Sequence, residues 1–440
     1  MRWHTLFRYQ RNVYLLLLFT LGKGFQLSIS ALAINLYAYS LGYRQDFIGV
    51  LSAMPALGAL AASVPIGLLA DRLGRKPLLI LSGLLNPLTI AAIGLSTSAP
   101  TLVTASLCNG FLSTAYWVTN LPMLTESTSD NQRVGVLAFN SFLLLGMGAL
   151  GALIGGAVPE LVAGLLHVPA TSTVPLRWGV LAAAIIAFLP APPLIFLREP
   201  AYSHDRVPMP GSNGGAEPYV IAATNGQVDT MAGPVVADPA SRWTLAALFL
   251  KLLVPDLLFT IGEGTVLGLL QLFFVLRFGI QPGTLGVLFT VAGLGGGVTS
   301  LLAPRLVRRW GKLRAAITMQ YLSVPVILTI GFVPAFPPAA GAEFARRVLR
   351  GFFDPIYAAF AMESVSTRWR ATLSGFYNVT WSLGFSIGPA IAGWLQQHTD
   401  LSMPFVVGAG CVAAAATLLL IFFRPDTAAK IEPLRTPPAA

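Results

Sequence analysis

The chain has 440 residues, 55% of them hydrophobic and only 10% charged, with a mean hydropathy of +0.71. A soluble globular protein carries about 25% charge to cover its surface, so composition excludes soluble domains, a disordered chain and a nucleic-acid-binding protein. The net charge of +10 fits a membrane protein, in which Lys and Arg collect in cytoplasmic loops.

About 20 apolar residues carry a helix across the hydrocarbon core. Twelve such runs are predicted in chain order: 12–40, 46–70, 77–98, 100–124, 134–158, 176–197, 247–276, 282–304, 314–334, 340–366, 370–396 and 402–424. The expected fold class is an all-α membrane protein of twelve transmembrane helices. The first run, basic in front and apolar behind, has the look of a signal peptide; the internal repeat described below gives it a structural partner and argues against cleavage. Residues 199–242 are rich in Pro and Gly and lack periodicity, which reads as a flexible cytoplasmic linker. It separates a six-helix bundle over 1–198 from a second over 243–425, followed by a cytoplasmic tail over 426–440. With an inside N-terminus, twenty of the 28 Lys and Arg fall on the cytoplasmic side. At most five lie outside: Arg44, Arg177, Arg277, Arg346 and Arg347. Both termini are therefore expected in the cytoplasm and the chain in the cytoplasmic (inner) membrane. Cys108 and Cys411 lie in separate apolar runs and read as buried small hydrophobes, with no disulfide.

Sliding the chain on itself by 237 residues aligns Gly49 with Gly286, Gly58 with Gly295, Arg72 with Arg309 and Gly74 with Gly311. The same offset aligns Glu126 with Glu363, Arg133 with Arg370, and Gly151-Ala-Leu-Ile-Gly155-Gly156 with Gly388-Pro389-Ala-Ile-Ala-Gly393. Six spans per half is an even number, so both repeats run the same way across the membrane, as parallel repeats do in duplicated transporters.

The joint between the second and third spans reads Gly67-Leu-Leu-Ala-Asp71-Arg72-Leu-Gly74-Arg75-Lys76. This is similar to the signature loop of the major facilitator superfamily, and with the repeat the chain resembles a bacterial-type, twelve-span member over nearly its whole length. The resemblance implies two pseudo-symmetric bundles and a conformational latch made by Gly67, Asp71, Arg72, Gly74, Arg75 and Lys76. Asp71 would meet the start of the eleventh span near Ala371–Thr372 when the inner gate is closed, where a helix dipole favours an anion. In the second copy Arg308 replaces the acid. The family's fifth-span pattern appears without its proline, as Gly151-Ala152…Gly155-Gly156; these residues and Gly388, Pro389 and Gly393 are expected to pack helices closely.

Ionisable residues in mid-membrane cost about 2.5–3.5 kcal/mol each and default to functional or paired roles. Lys23, flanked by Gly22 and Gly24, and Glu263, flanked by Gly262 and Gly264, occupy matching places in the first and seventh spans, and are expected to approach across the pseudo-twofold axis. Glu263 is the first choice as proton carrier, its charge state responding to whether that pair is open or closed. Helical spacing places Lys23 and Gln26 on one face of the first span and Asn109, Ser113 and Tyr116 on one face of the fourth. It does the same for Asp256 and Glu263 in the seventh, and for Arg347, Arg350, Asp354 and Tyr357 in the tenth. These are the spans that line the translocation path in the family, so all eleven residues are expected at a substrate or proton cavity. Lys23 and Arg350 balance Glu263 and Asp354, which suits a neutral or zwitterionic cargo.

The expected activity is secondary transport of a small organic molecule by alternating access, coupled to protons, with efflux of an amphiphilic compound favoured. Uptake of a sugar or metabolite is the alternative, and a non-transporting receptor with the same fold is an alternative of another class. No enzyme, cofactor or metal site is expected. The partners are the cargo, protons and the lipid bilayer, with no nucleic acid, and the chain is expected to be a monomer.

Overall fold

The computed structural model describes residues 10–128, 130–198 and 241–423. Most of the expected linker and all of the expected tail lie outside the described residues. The first half contains α1 (Arg11–Ser40), α2 (Gln45–Leu73), α3 (Arg75–Leu95), α4 (Ala99–Glu126), α5 (Asp130–Leu166) and α6 (Thr173–Phe188), with a 3-10 turn at Pro192–Phe196 extending the sixth span. In the second half α7 (Ser241–Leu267) and α8 (Leu270–Phe278) together make the seventh span. It continues with α9 (Pro282–Trp310), α10 (Lys312–Phe332), α11 (Phe336–Glu363), α12 (Thr367–His398) and α13 (Met403–Phe422). The twelve expected spans are all present as helix.

Among the described residues, nine spans are long and apolar enough by composition to cross a bilayer. The other three, α4, α11 and α12, have the length, at 28, 28 and 32 residues, but carry more polar groups. Helix α11 alone holds Glu343, Arg346, Arg347, Arg350 and Asp354.

The 237-residue register holds to the residue at helix starts. Gln45 and Pro282, Arg75 and Lys312, Ala99 and Phe336 each open matching helices. Gly74 (φ +84°) and its counterpart Gly311 (φ +77°) make the turns into α3 and α10, a backbone conformation that favours glycine. At the ends of these helices Arg75 pairs with Glu126 and Lys312 pairs with Glu363. These two ion pairs are themselves one repeat apart.

In the first half α1 packs on α5 and α6, and α4 on α2 and α3; in the second α7 packs on α12 and α13, and α11 on α9 and α10. The halves meet along α2 against α12 and α5 against α9. Each crossing is backbone on backbone. A Cβ on Gly49 would collide with Pro389 and Gly393, and one on Gly286 with Ala152 and Gly156, so the two crossings are images of each other in the repeat. Gly151 and Gly155 pack against Phe25 and Ile29 of α1, and Gly388 against Gly264 of α7. Around the crossings Asn35 Nδ2 donates to Gly268 O (2.9 Å), Thr290 Oγ1 to Ala149 O (2.7 Å) and Gly283 N to Glu160 Oε1 (2.9 Å).

These cross-half contacts lie toward the distal face, opposite the ends where α1 begins and α13 finishes. On the terminal face Asp71, Arg72 and Thr372 are exposed, as are Phe142 and Phe376. The molecule is closed distally, and Asp71, expected to act as a latch, has no ion pair among the described residues. Nothing lies within 4 Å of where a Gly67 Cβ would be, so no helix packs closely on Gly67 in this state.

Two expectations need correction. Cys108 is exposed and Cys411 only half-buried, because the apolar faces of α4 and α13 around them look outward as well as inward. Arg346 and Arg347 are not loop residues on the outer side. Both sit inside α11, with Arg346 buried, which leaves the distal side with even fewer basic residues.

If the glycine crossings hold the distal face shut, Gly49→Leu should open it. A cysteine introduced at Asn35 in a cysteine-free background should then react faster with a membrane-impermeant maleimide. Unchanged reactivity would show that these crossings are not the gate.

Candidate functional site

Helix α7 presents Glu263 to α11, where Arg346 and Arg350 stand four apart on one face. Arg346 Nη1 donates to Glu263 Oε2 at 2.8 Å, and Arg350 Nη1 lies 2.8 Å from the same oxygen. Arg346 also makes a two-pronged contact with Glu343, through Nε (2.7 Å) and Nη2 (2.9 Å). Arg347 Nε donates to Glu343 Oε1 at 3.0 Å, and Arg350 Nε to Asp354 Oδ1 at 2.6 Å. The result is a chain of alternating charge, Arg347–Glu343–Arg346–Glu263–Arg350–Asp354, with three cations and three anions. Charge-assisted bonds of this kind are shorter and stronger than neutral ones, and each removes an ion that hydrocarbon would not tolerate alone.

The middle of this chain is buried and its two ends are accessible. The side chains of Glu343, Arg346 and Glu263 are 0%, 2% and 4% exposed, whereas Arg350, Arg347 and Asp354 reach 23%, 37% and 51%. The inner members lock α7 to α11, and the outer three keep accessible surface of both signs of charge. The Arg350 guanidinium also lies 4.8 Å from the centre of the Phe259 ring, a cation–π contact. Below this network Asp256 accepts a hydrogen bond from the Thr380 hydroxyl of α12. Nearby Tyr377 OH donates to Tyr357 OH (3.2 Å), which donates to Leu252 O (2.9 Å).

The first half repeats the geometry with different chemistry. Lys23 Nζ donates to Ser113 Oγ (2.9 Å) and Asn86 Oδ1 (3.3 Å) and lies 5.8 Å from the centre of the Tyr116 ring. Asn86 Nδ2 donates to Asn109 O (2.9 Å) and Ser113 Oγ (3.1 Å). One turn away, Thr20, Tyr116, Asn120 and Asn140 form an uncharged cluster. Moved by the repeat, Ser113 falls on Arg350 and Asn109 on Arg346. Lys23 therefore faces in its half what Glu263 faces in the other.

This equivalence corrects the expected Lys23–Glu263 pair. Each residue is turned into its own bundle and satisfied there, so the two do not meet across the axis. The expectation that all eleven polar residues line one central cavity also changes. Lys23, Gln26, Ser113, Tyr116, Asp256, Glu263 and Tyr357 are buried within their own halves; Asn109 is half-buried, and Arg347, Arg350 and Asp354 are the accessible members. The neutral charge balance survives, but within α7 and α11 and without Lys23. Sequence reasoning missed Glu343 and Arg346, and also Asn86 and Thr380. The exact 237 register would have found the first two, since it lays Arg346 on Asn109 of the fourth span's polar face and Glu343 on Ser106, three residues earlier and on the same side of the helix.

Comparison with known proteins settles the family. The sequence profile of the Major Facilitator Superfamily matches residues 14–262 and again 256–439, together nearly the whole chain. The chain belongs to the Major Facilitator Superfamily. It is a multi-pass integral membrane protein of transporter type, and not an enzyme. No curated protein matches it in sequence. Among solved members of the superfamily, a bacterial homolog of the human lysosomal transporter Spinster, in an inward-facing and occupied conformation, is similar with a TM-score of 0.72. The identity is 14%, over 97% of this chain and 98% of that one. The nucleoside transporter NupG gives a TM-score of 0.66 at 14% identity, covering 94% of this chain and 100% of that one. The human organic anion transporter MFSD10 (TETRAN) gives 0.59 at 18% identity, with 93% and 99% covered. At these identities the likeness is one of fold.

Arg346 is the hub of the buried network. Arg346→Met should leave two buried carboxylates short of a partner and cost about 3–5 kcal/mol, read as a lower unfolding midpoint in detergent. Asp354→Asn, at the exposed end, should leave that midpoint within about 1 kcal/mol. Equal effects of the two would show that the network is not graded by burial.

Proposed function

We propose that this superfamily member is a secondary transporter that exports a small amphiphilic organic molecule by alternating access, driven by protons. The observation that carries the reading is the asymmetry of the cleft: two repeat-related glycine crossings shut the distal face, while Arg347, Arg350 and Asp354 keep accessible surface. The excess of Lys and Arg on the terminal side supports cytoplasmic termini, which makes this an inward-open state in an inner membrane, ready to load cargo from the cytoplasm. Rocking of one bundle against the other would part the distal crossings and bring Asp71 to the start of α12, closing the cytoplasmic side. A single chain holds both bundles, so a monomer suffices.

Cargo class follows from the accessible stripe. Both signs of charge stand next to the Phe259 ring, and the six-member network has no net charge, which fits a neutral or zwitterionic molecule with an apolar part. Structures of the same fold are named for nucleosides and organic anions. Glu263 is less suited to carry the coupling proton than the sequence implies. A proton and two guanidiniums compete for one carboxylate, and loading it would break the contacts that join α7 to α11.

The test is tracer flux of a compound library into proteoliposomes at two imposed pH gradients. Export predicts gradient-dependent accumulation in inside-out vesicles for at least one amphiphilic compound. For that compound Asp354→Asn should lower flux by about tenfold, or ~1.4 kcal/mol, with unchanged stability. Flux only in the opposite orientation would mean uptake, and no flux of any compound would mean a receptor.

A further inference from the structure

Lys23 stands apart from every other deep charge in the molecule. It is the one acidic or basic residue of α1–α6 more than two turns from a helix end, and it is 5% exposed. Its two hydrogen-bond partners, Asn86 and Ser113, are neutral, and no carboxylate lies within ion-pair distance among the described residues. The groups packed around it add little charge. Helix α4 contributes Tyr116. The charged residues of α3, α5 and α6 (Arg75, Lys76, Arg133, Glu160 and Arg177 among them) lie near helix ends.

An ammonium offers three donors, and two are used. Beside Lys23 is a cavity of about 10 Å³, bordered by Gln26, Ser82, Asn86 and Pro87. That is room for one water molecule. Gln26 is 2% exposed and its Oε1 has no hydrogen-bond partner. An unused donor and an unused acceptor thus border one water-sized space, and a water there would accept from Lys23 and donate to Gln26.

We infer that Lys23 is a proton-exchange site in the first half, working through a water held between it and Gln26. The Nζ–H bond breaks, its electron pair stays on nitrogen and the proton passes to the water, which gives up one of its own protons to solvent water at the open side of the cavity; the reverse steps restore the ammonium. Ser113 can hold either form, because a hydroxyl accepts from an ammonium and donates to an amine. The arginines of α11 cannot do this, since guanidinium keeps its proton in proteins. The use of this site for coupling rests on the transport reading above, whereas the exchange itself does not.

The test is nitrogen-15 NMR of full-length protein labelled at lysine Nζ, in lipid nanodiscs. Five lysines are present, Lys23, Lys76, Lys251, Lys312 and Lys430, and the Lys23 signal is the one missing from Lys23→Arg, or from Lys23→Gln if the arginine does not fold. Over the pH range in which the protein stays folded, that signal should change reversibly from ammonium to amine. Gln26→Leu should displace its midpoint, and Asp256→Asn should not. A Lys23 signal that stays in one form throughout, or that follows Asp256→Asn instead of Gln26→Leu, overturns the proposal. If Lys23 exchanges but no compound is moved, the transport reading fails and the site stands; if flux is gradient-driven while Lys23 stays in one form, the site fails and transport stands.

Discussion

An ion buried in hydrocarbon has to keep its partner through every state the protein visits. Two ions paired across the interface of moving bundles would be stranded each time the bundles part, and each stranded charge costs several kcal/mol. Glu263 shows how the constraint is met. Its carboxylate turns toward Arg346 and Arg350 of the same bundle, so the network travels as a unit. Lys23, in the matching place, turns toward Asn86 and Ser113 of its own bundle. The ion pairs of α3 with α4, α7 with α11 and α10 with α11 each lie within one half, and the surface between the halves is left to backbone, small residues and the polar contacts of Asn35, Glu160 and Thr290.

Packing and charge have diverged separately within the repeat. The glycine crossings, the Gly74 and Gly311 turns and the Arg75–Glu126 and Lys312–Glu363 pairs keep their register at 237 residues. The interior polar positions do not keep their chemistry: Asn109 and Ser113 in one half stand where Arg346 and Arg350 stand in the other. Helix contacts tolerate few changes because a Cβ at Gly49 or Gly286 has nowhere to go. A polar node tolerates exchange as long as the whole node changes together, which is why Glu263, Arg346, Arg350 and Glu343 form one connected set.

The fold was legible because its signals are collective. Twelve apolar runs, the basic bias and the repeat each involve many residues, and no single side chain decides them. The fifth-span glycines were equally visible, since glycine at close crossings leaves a regular pattern. The site was legible only in part. Residue spacing placed Lys23, Glu263, Arg350 and Asp354 in mid-membrane, but rotation of each helix about its axis, which decides whom a charge meets, is set by packing against α3, α5 and α12. Arg346 was misplaced because three closely spaced arginines at the start of a weakly apolar span resemble a basic loop. Glu343, buried beside it, is the partner that turns those arginines from loop residues into core.

The division between fixed and moving parts has an energetic consequence. Helices in lipid gain no hydrophobic free energy by touching one another, and their interhelical hydrogen bonds are worth about 0.6 kcal/mol each. The distal seal described here has three, from Asn35, Thr290 and Gly283, together with van der Waals contact at two glycine crossings. Such a seal is worth a few kcal/mol, a difference that leaves an alternative state measurably populated. The charged network of α7 and α11 is far more costly to break than the seal, so thermal motion separates the bundles before it disrupts either of them. Rigid halves around a weak, repeat-related seam follow from where the ions are placed.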